Sequence, residues 1–260
     1  SVRRETLESQ ASFFACLPCA IIDLQDGQAR KKAAVPMSYL FTDREDAGRK
    51  LAEAYRGATE KLVVLGIPRG GIPVAYRLAQ ALGCTFDVLV ARKLPIPHNP
   101  EAGFGAIAPD GSLYINEEMA QHLHLPPEQV NDIASRVLVE VRRRVKAYRG
   151  DRPFPDLAWM NVILTDDGLA TGYTMIAAVE MVRKFRPATV GVAVPVSPDG
   201  TARRIRPLVD HFHCLHVSHH YPFAVASFYR DFHDLSDREV MRYLGKSPGK
   251  NGGRDEGRIS

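Results

Sequence analysis

The sequence predicts a parallel α/β sheet flanked by helices, and three observations predict it. Short apolar runs alternate with helix-period segments through the middle of the chain, the signature of a sheet covered on both faces. The first four runs are apolar almost throughout, as strands buried on both faces must be. The alternation breaks once, between Arg92 and Glu117, where Pro95, Pro97, Pro100, Gly103, Gly105 and Gly111 separate short apolar pieces. This reads as a flexible loop or hairpin inserted into the sheet order.

In chain order the expected strands are Leu62 to Leu65, Asp87 to Ala91, Val162 to Thr165, Val190 to Val194 and Phe212 to Val217. Helices are expected at Arg44 to Tyr55, Pro73 to Leu82, Glu128 to Tyr148, Thr174 to Phe185 and Ser236 to Tyr243. The first takes Asp43 as N-cap with Asp46 three residues on, a capping box that uses Asp in place of Glu. Residues 1–36 have mixed polarity and no sustained period, and read as an N-terminal extension to a domain over 37–244. Residues 245–260 are Gly-rich, charged and nearly without apolar side chains, the composition of a disordered tail.

A chain of 260 residues with 45% hydrophobic and 25% charged content is globular in composition, which sets aside disordered and fibrous classes. No apolar stretch approaches the ~20 residues that cross a bilayer. The run Phe13 to Ile22 follows Arg3-Arg4 as a secretory signal would, but Glu5 and Glu8 intervene and no small-x-small cleavage site follows. Four irregularly spaced cysteines make no disulfide framework, and the expected setting is the cytoplasm. The net charge of +4 suits a small anionic ligand at least as well as nucleic acid. Arg142-Arg143-Arg144 and Arg203, Arg204 and Arg206 fit outer helix faces and lack the aromatics or reading helix of a nucleic-acid surface, so no nucleic-acid partner is expected.

The most informative stretch is Val162-Ile163-Leu164-Thr165-Asp166-Asp167-Gly168-Leu169-Ala170-Thr171-Gly172-Tyr173-Thr174, leading into an apolar helix. Adjacent carboxylates at the end of a buried strand are costly unless a cation or hydroxyl meets them, so Asp166 and Asp167 look like ligand groups. Ala170 to Thr174 then offers small side chains, Gly172 and two hydroxyls at a helix amino end, where free amides favour a phosphate. Carboxylates for a sugar diol and an amide nest for its phosphate, one short loop apart, match the dimensions of ribose 5-phosphate. Read without ligand, the same residues would cap a turn and start a helix. A second strand-to-loop junction, Leu62 to Gly71, ends in Pro68-Arg69-Gly70-Gly71, whose glycines allow close backbone approach to an anion. Gly66 to Gly71 has Walker A spacing, but Ile72-Pro73 stand where Lys and Ser or Thr belong, which excludes a nucleoside-triphosphatase loop.

The apolar strand, two acidic residues and Thr-Gly-x-Thr loop resemble the phosphoribosyl pyrophosphate motif of the type I phosphoribosyltransferases. The resemblance covers most of Leu40 to Leu244 and is nearest a bacterial and archaeal group of unassigned acceptor. Phe41-Thr42-Asp43-Arg44-Glu45-Asp46-Ala47-Gly48, Pro68-Arg69-Gly70-Gly71 and Tyr229-Arg230-Asp231-Phe232 are similar to further landmarks of that group. It implies a parallel sheet with an inserted flexible loop and a small hood, and a transferase that moves ribose 5-phosphate from phosphoribosyl pyrophosphate to a nitrogen acceptor such as a nucleobase. It also implies Mg2+ held mainly by donor and water, with Asp166 and Asp167 as its protein neighbours; a homodimer is the expected assembly. Arg69 and the Gly70 and Gly71 amides would hold the leaving pyrophosphate. Arg92 and Lys93 would open a loop that closes over it, and Glu101 in that loop is a candidate for metal-bound water or the acceptor. Taken alone, adjacent cations at a strand end are ordinarily a solvated edge.

The hood is expected from Phe41 to Asp46 and His220 to Phe232, where Tyr221, Phe223, Phe228 and Tyr229 stack on a planar base or fill core. Cys16-Leu17-Pro18-Cys19 suggests half a metal site, and its only completion is the stretch His211, His213, Cys214, His216, His219, His220, which reads more simply as packed or surface strand residues. The alternative to an enzyme is a regulator that binds the donor or a nucleotide on the same fold without turnover. A phosphatase or hydrolase of phosphorylated ribose would need a placed base, and none is legible. Capping, amphipathic period and resemblance all begin just after Met37. A chain beginning at Met37 is therefore expected to stay soluble and to bind the donor with little change; aggregation or lost binding in calorimetry would place the extension in the core or in a dimer interface.

Overall fold

The computed structural model describes residues 39–55 and 61–246. The extension 1–36, Cys16 and Cys19, Met37, and 247–260 of the tail lie outside the described residues. Along the described chain the strands are β1 (Leu62–Gly66), β2 (Thr85–Val88), β3 (Arg92–Ile96), β4 (Asn99–Ile107), β5 (Leu113–Ile115), β6 (Asn161–Thr165), β7 (Thr189–Pro198) and β8 (His211–Ser218). The helices are α1 (Arg44–Glu53), α2 (Gly71–Leu82), α3 (Glu117–His122), α4 (Pro127–Arg149), α5 (Tyr173–Lys184), α6 (Asp199–Ile205) and α7 (Asp237–Gly245).

Five of the strands form a parallel sheet in the order β2-β1-β6-β7-β8. Side chains of a strand alternate between faces, and the apolar runs divide accordingly. Leu62 and Val64 of β1 and Ile163 of β6 join a core with α1, α2, α4 and α7. Val63 and Leu65 with Val162 and Leu164 join a second core under α5. The expected two-faced α/β sheet is thus observed. The chain leaves β1 through α2 toward β2 on one side, and leaves β6 through α5 toward β7 on the other. The carboxyl ends of β1 and β6 therefore flank the point where the strand order reverses, the crevice in which open α/β sheets bind ligands.

The inserted segment is a hairpin with a third strand: β3, β4 and β5 form an antiparallel sheet. The β3–β4 register shifts on either side of Pro95, which has no amide proton for the ladder. Arg92 and Lys93 begin β3, where the sequence reading had them closing the preceding strand. That strand also starts earlier than expected, at Thr85, because an apolar run marks burial and not pairing. Exposed Thr85 pairs with Val63, whereas Leu89, Val90 and Ala91 are buried beyond the end of β2.

Helix signals worked where capping was explicit. Asp43 Oδ1 accepts the Asp46 amide at 2.7 Å. The Asp46 carboxylate takes the Thr42 amide at 3.1 Å and not that of Asp43, so the box closes one residue early. Ser236 and Glu239 form a complete capping box on α7, which runs through Gly245, one residue into the expected tail. The short helices α3 and α6 were not anticipated. No described helix is long and apolar enough to cross a membrane. Among the described residues no group of three or more His, Cys, Asp or Glu is placed to hold a metal ion, the histidines of β8 included.

Leu164 is fully buried in the sheet centre. Leu164→Ala is expected to lower the unfolding free energy by about 2–5 kcal/mol, the usual cost of a buried leucine cavity, in a urea titration.

Candidate active site

The site begins with strand pairing. Gly66 and Thr165 are register partners at the carboxyl ends of β1 and β6, and the Ile67 amide continues the ladder to the Thr165 carbonyl at 2.9 Å. The loop Pro68 to Gly71 and the pair Asp166-Asp167 therefore leave neighbouring strands side by side. Their approach is close enough to require glycine. A Cβ on Gly70 would lie 1.9 Å from Asp167 Oδ2, and one on Gly71 would lie 2.7 Å from the Thr165 carbonyl oxygen and 2.8 Å from Asp166 Cα. The sequence reading gave these glycines to an incoming anion; the anion against Gly70 in the folded chain is Asp167 itself. The Pro68–Arg69 peptide is cis, and the Arg69 side chain is exposed.

Asp167 is held from several directions. Its Oδ2 accepts Arg44 Nε–H at 2.8 Å, and its carbonyl accepts the Tyr229 hydroxyl at 2.6 Å. Arg44 also donates to the His233 carbonyl at 2.8 Å, and its guanidinium carbon sits 3.8 Å from the centre of the Phe232 ring. Asp166 Oδ1 accepts the Asp167 amide at 2.8 Å. Burial raises the Asp166 carboxyl well above the usual range, and the adjacent charge of Asp167 adds to this. Burial raises Asp167 too, but Arg44 opposes it. Beside them, Thr165 Oγ1 is buried without a hydrogen-bond partner among the described residues.

Five residues beyond Asp167 the chain turns into α5. Gly172 is the N-cap with φ +76°, and a Cβ there would come within 2.8 Å of Ile205 and Thr201. This is the left-handed region that glycine enters without strain. The Ala170 carbonyl accepts the Thr201 hydroxyl at 2.7 Å and the Thr171 carbonyl accepts Arg204 at 3.1 Å. In a trans peptide the carbonyl and the following amide point in opposite directions. The Thr171 and Gly172 amides are therefore turned away from α6, and α5 starts without any side-chain cap. Its first-turn amides add to this nest, at the end where the helix dipole favours anions. Thr171 and Thr174 are half-buried. Tyr173 differs from the expectation: its ring is buried against Tyr114 and its hydroxyl accepts Asn116 Nδ2–H at 2.7 Å, so only its backbone belongs to the loop.

The cations of the hairpin are more dispersed. Lys93 is exposed on β3. Arg92 turns to α4, with its Nη1 3.2 Å from Glu140. The same carboxylate binds Arg143 at 2.7 Å and Arg144 at 3.1 Å, and the hydrogen bond from Arg143 leads in holding it down at about 2. Burial, and then Arg144, lowers the Arg92 pKa, with Arg69 near enough to contribute. The structure thus brings Gly70, Gly71, Asp166 and Asp167 together, with Ala170 to Thr174 in the following turn, and places Arg92 on a carboxylate of its own chain. The Glu101 side chain lies outside the described residues.

An open cleft of about 530 Å³ adjoins the loop, lined by Ala170, Thr171, Asp199, His219, Tyr221 and Phe223 among others. Of the expected hood aromatics, Tyr221 is exposed and Phe223 half-buried at this cleft. Tyr229 is core, packed on Phe41 at 5.2 Å between ring centres, and Phe228 stacks on Phe223 and His216. Sequence reasoning missed what Arg44, Tyr229 and Phe232 touch, although all three stand in the landmark segments. It gave no cleft-lining role to Asp199 or His219.

Fold and site together define an α/β protein that presents two carboxylates and a set of backbone amides at the carboxyl end of a parallel sheet. The chain belongs to the phosphoribosyl transferase domain family, whose model matches residues 41–233. A protein of Mycobacterium tuberculosis (strain H37Rv) that bears a provisional phosphoribosyl transferase name is 39% identical over 209 residues, covering 80% of this chain and 47% of that protein. The chain thus spans about half the length of the curated relatives it matches. The crystal structure of TT1426 from Thermus thermophilus is similar at a TM-score of 0.67 and 35% identity, covering 79% of this chain and 98% of that one.

Because the Asp166 carboxyl is raised in the folded chain, the folded state binds its proton more tightly than the unfolded state does. Its contribution to stability is present below the ordinary carboxyl value of about 4 and is lost as pH rises through the folded value. Asp166→Asn is therefore expected to raise the unfolding free energy at pH 7, with the gain shrinking toward pH 4. Urea titrations at the two pH values check this, and an equal change at both would contradict it.

Proposed function

We propose that this chain is a phosphoribosyltransferase that moves ribose 5-phosphate from phosphoribosyl pyrophosphate to a nitrogen acceptor such as a nucleobase and releases pyrophosphate. One observation carries the reading: Asp166 and Asp167 sit at the strand-order reversal, against the Gly70-Gly71 loop and one short turn before the uncapped amino end of α5. The amides of Ala170 to Thr174 take the 5-phosphate, and Asp166 and Asp167 orient the ribose diol. Arg69 and the Gly70 amide hold the pyrophosphate, the Gly71 amide being already given to the Ile67 carbonyl at 3.0 Å. Lys93 adds positive charge there, and Arg92 does so by exchanging Glu140 for the pyrophosphate.

An all-oxygen environment of two carboxylates, with a buried Thr165 hydroxyl beside them, fits Mg2+ better than a softer metal. Two protein carboxylates are few, which suits an ion held largely by donor and water; Asp166 and Asp167 would be its protein neighbours. When bound, Mg2+ neutralises charge on the departing pyrophosphate. The chain's own task is positional and electrostatic. As the acceptor nitrogen bonds to the anomeric carbon and the bond to pyrophosphate oxygen breaks, positive charge grows on the ring, and the Asp166-Asp167 field favours it. The acceptor enters the cleft beside Ala170 and Thr171, where Tyr221 and Phe223 offer flat surfaces to a planar ring. A homodimer in the cytoplasm, built on residues 37–244, completes the reading.

Incubating the chain with Mg2+, phosphoribosyl pyrophosphate and a panel of bases should release pyrophosphate with at least one base; release with none, despite donor binding, would favour a non-catalytic binder. The double variant Asp166→Asn with Asp167→Asn should remain folded and lose donor binding in calorimetry, and unchanged affinity would remove the site assignment. Arg69→Ala and Lys93→Ala should each weaken pyrophosphate by roughly tenfold or more, since a hydrogen bond to a charged group is worth about 1.5–3 kcal/mol. Ribose 5-phosphate should be affected less; equal losses would show a general field effect.

A further inference from the structure

We propose that Arg44 is a positioning residue for the donor site: it fixes the Asp167 carboxylate in its ribose-binding orientation and ties the segment Tyr229 to His233 to that carboxylate. The inference rests on the assignment of Asp167 to the ribose. Arg44 is only 7% exposed, and a guanidinium buried this far is tolerated when its donors are met. Its side-chain hydrogen bonds go to the surroundings of the site, Nε to Asp167 Oδ2 and Nη1 to the His233 carbonyl, each at 2.8 Å. Its flat face is occupied by Phe232 at 3.8 Å. A planar fork stacked on one face and bonded along two edges has no freedom to rotate, so the carboxylate that it grips is fixed too.

The grip is directional. Asp167 Oδ2 lies where a Gly70 side chain would be, so the carboxylate is wedged between that backbone and the Arg44 guanidinium. The Tyr229 hydroxyl fixes the same residue through its carbonyl at 2.6 Å. Asp166, the neighbouring acid, has no such clamp among the described residues, its carboxylate being held by the adjacent Asp167 amide. The two carboxylates are thus unequal: one is held rigidly by the entry to α1 and the hood, and the other is anchored locally.

Arg44 is itself placed by the segment it joins. It is the first residue of α1, directly after the N-cap Asp43. The preceding residues pair with the hood strand: Phe41 bridges Tyr229, the Arg230 amide donates to the Phe41 carbonyl at 2.9 Å, and the Asp231 amide donates to the Thr42 carbonyl at 2.8 Å. Two segments nearly two hundred residues apart in sequence are laced together, and their joint product is one oriented carboxylate. This gives the two landmark segments a common role that neither has alone.

The test is calorimetry with Mg2+ on the full chain, using ribose 5-phosphate and pyrophosphate as separate probes. Arg44→Met should weaken ribose 5-phosphate at least tenfold and leave pyrophosphate within about twofold, because only the ribose touches Asp167. Arg44→Lys keeps the charge beside Asp167 but not the fork to His233, so it should lose less, in the same direction. Tyr229→Phe should lose ribose 5-phosphate affinity selectively as well. If Arg44→Met does not fold, Arg44→Lys decides. Wild-type ribose 5-phosphate affinity in a folded Arg44 variant, or equal losses of both ligands, would overturn the proposal. Failure of the underlying assignment looks different: the Asp166→Asn, Asp167→Asn double variant would then bind ribose 5-phosphate normally. If that double variant loses binding while the Arg44 variants keep it, only the role of Arg44 falls.

Discussion

The arrangement depends on one constraint: two adjacent carboxylates end a buried strand, and something must make that tolerable. Burial raises the free energy of each charge, and the charge of Asp167 adds to that cost at Asp166. The chain's answer is asymmetric. Asp167 receives a buried guanidinium, a wedge of glycine backbone and a tyrosine hydroxyl on its carbonyl. Asp166 is left with a local amide and a raised pKa.

Much of the surrounding structure follows from supplying that answer. Glycine at 70 and 71 lets the β1 loop lie against the β6 loop without a side chain between them. The α1 entry and the hood strand must meet for Arg44 to reach Asp167 while stacking on Phe232. Hood aromatics that look suited to a base in sequence, Tyr229 foremost, are taken up in this support. The aromatic surfaces left at the cleft are correspondingly few, Tyr221 and Phe223 beside the Ala170-Thr171 turn.

A similar compensation operates among the cations. Arg92 stands at the start of β3, near enough to Arg69 to feel its charge, yet its partner is Glu140 on α4. Three guanidiniums share that one carboxylate. Like-charged groups gathered together need a counter-charge, and α4 supplies it from within the chain.

The sequence by itself determined the sheet, its two-faced burial and the loop between β6 and α5. Each of these is written in neighbouring residues: the period of Val162 to Thr165, the adjacency of Asp166 and Asp167, the Thr-Gly-Tyr-Thr turn before an apolar helix. It misplaced the start of β2, because the apolar content of Leu89 to Ala91 reports burial while pairing depends on a partner strand. It placed Tyr173 in the loop, but spacing does not show which way a side chain turns; Asn116 decided that. Only the tertiary structure could show that Arg44 meets Asp167 across 123 residues of chain, or that Arg92 pairs with Glu140. Such pairs leave no local period, and buried charges acquire their partners only when the elements that carry them are packed together.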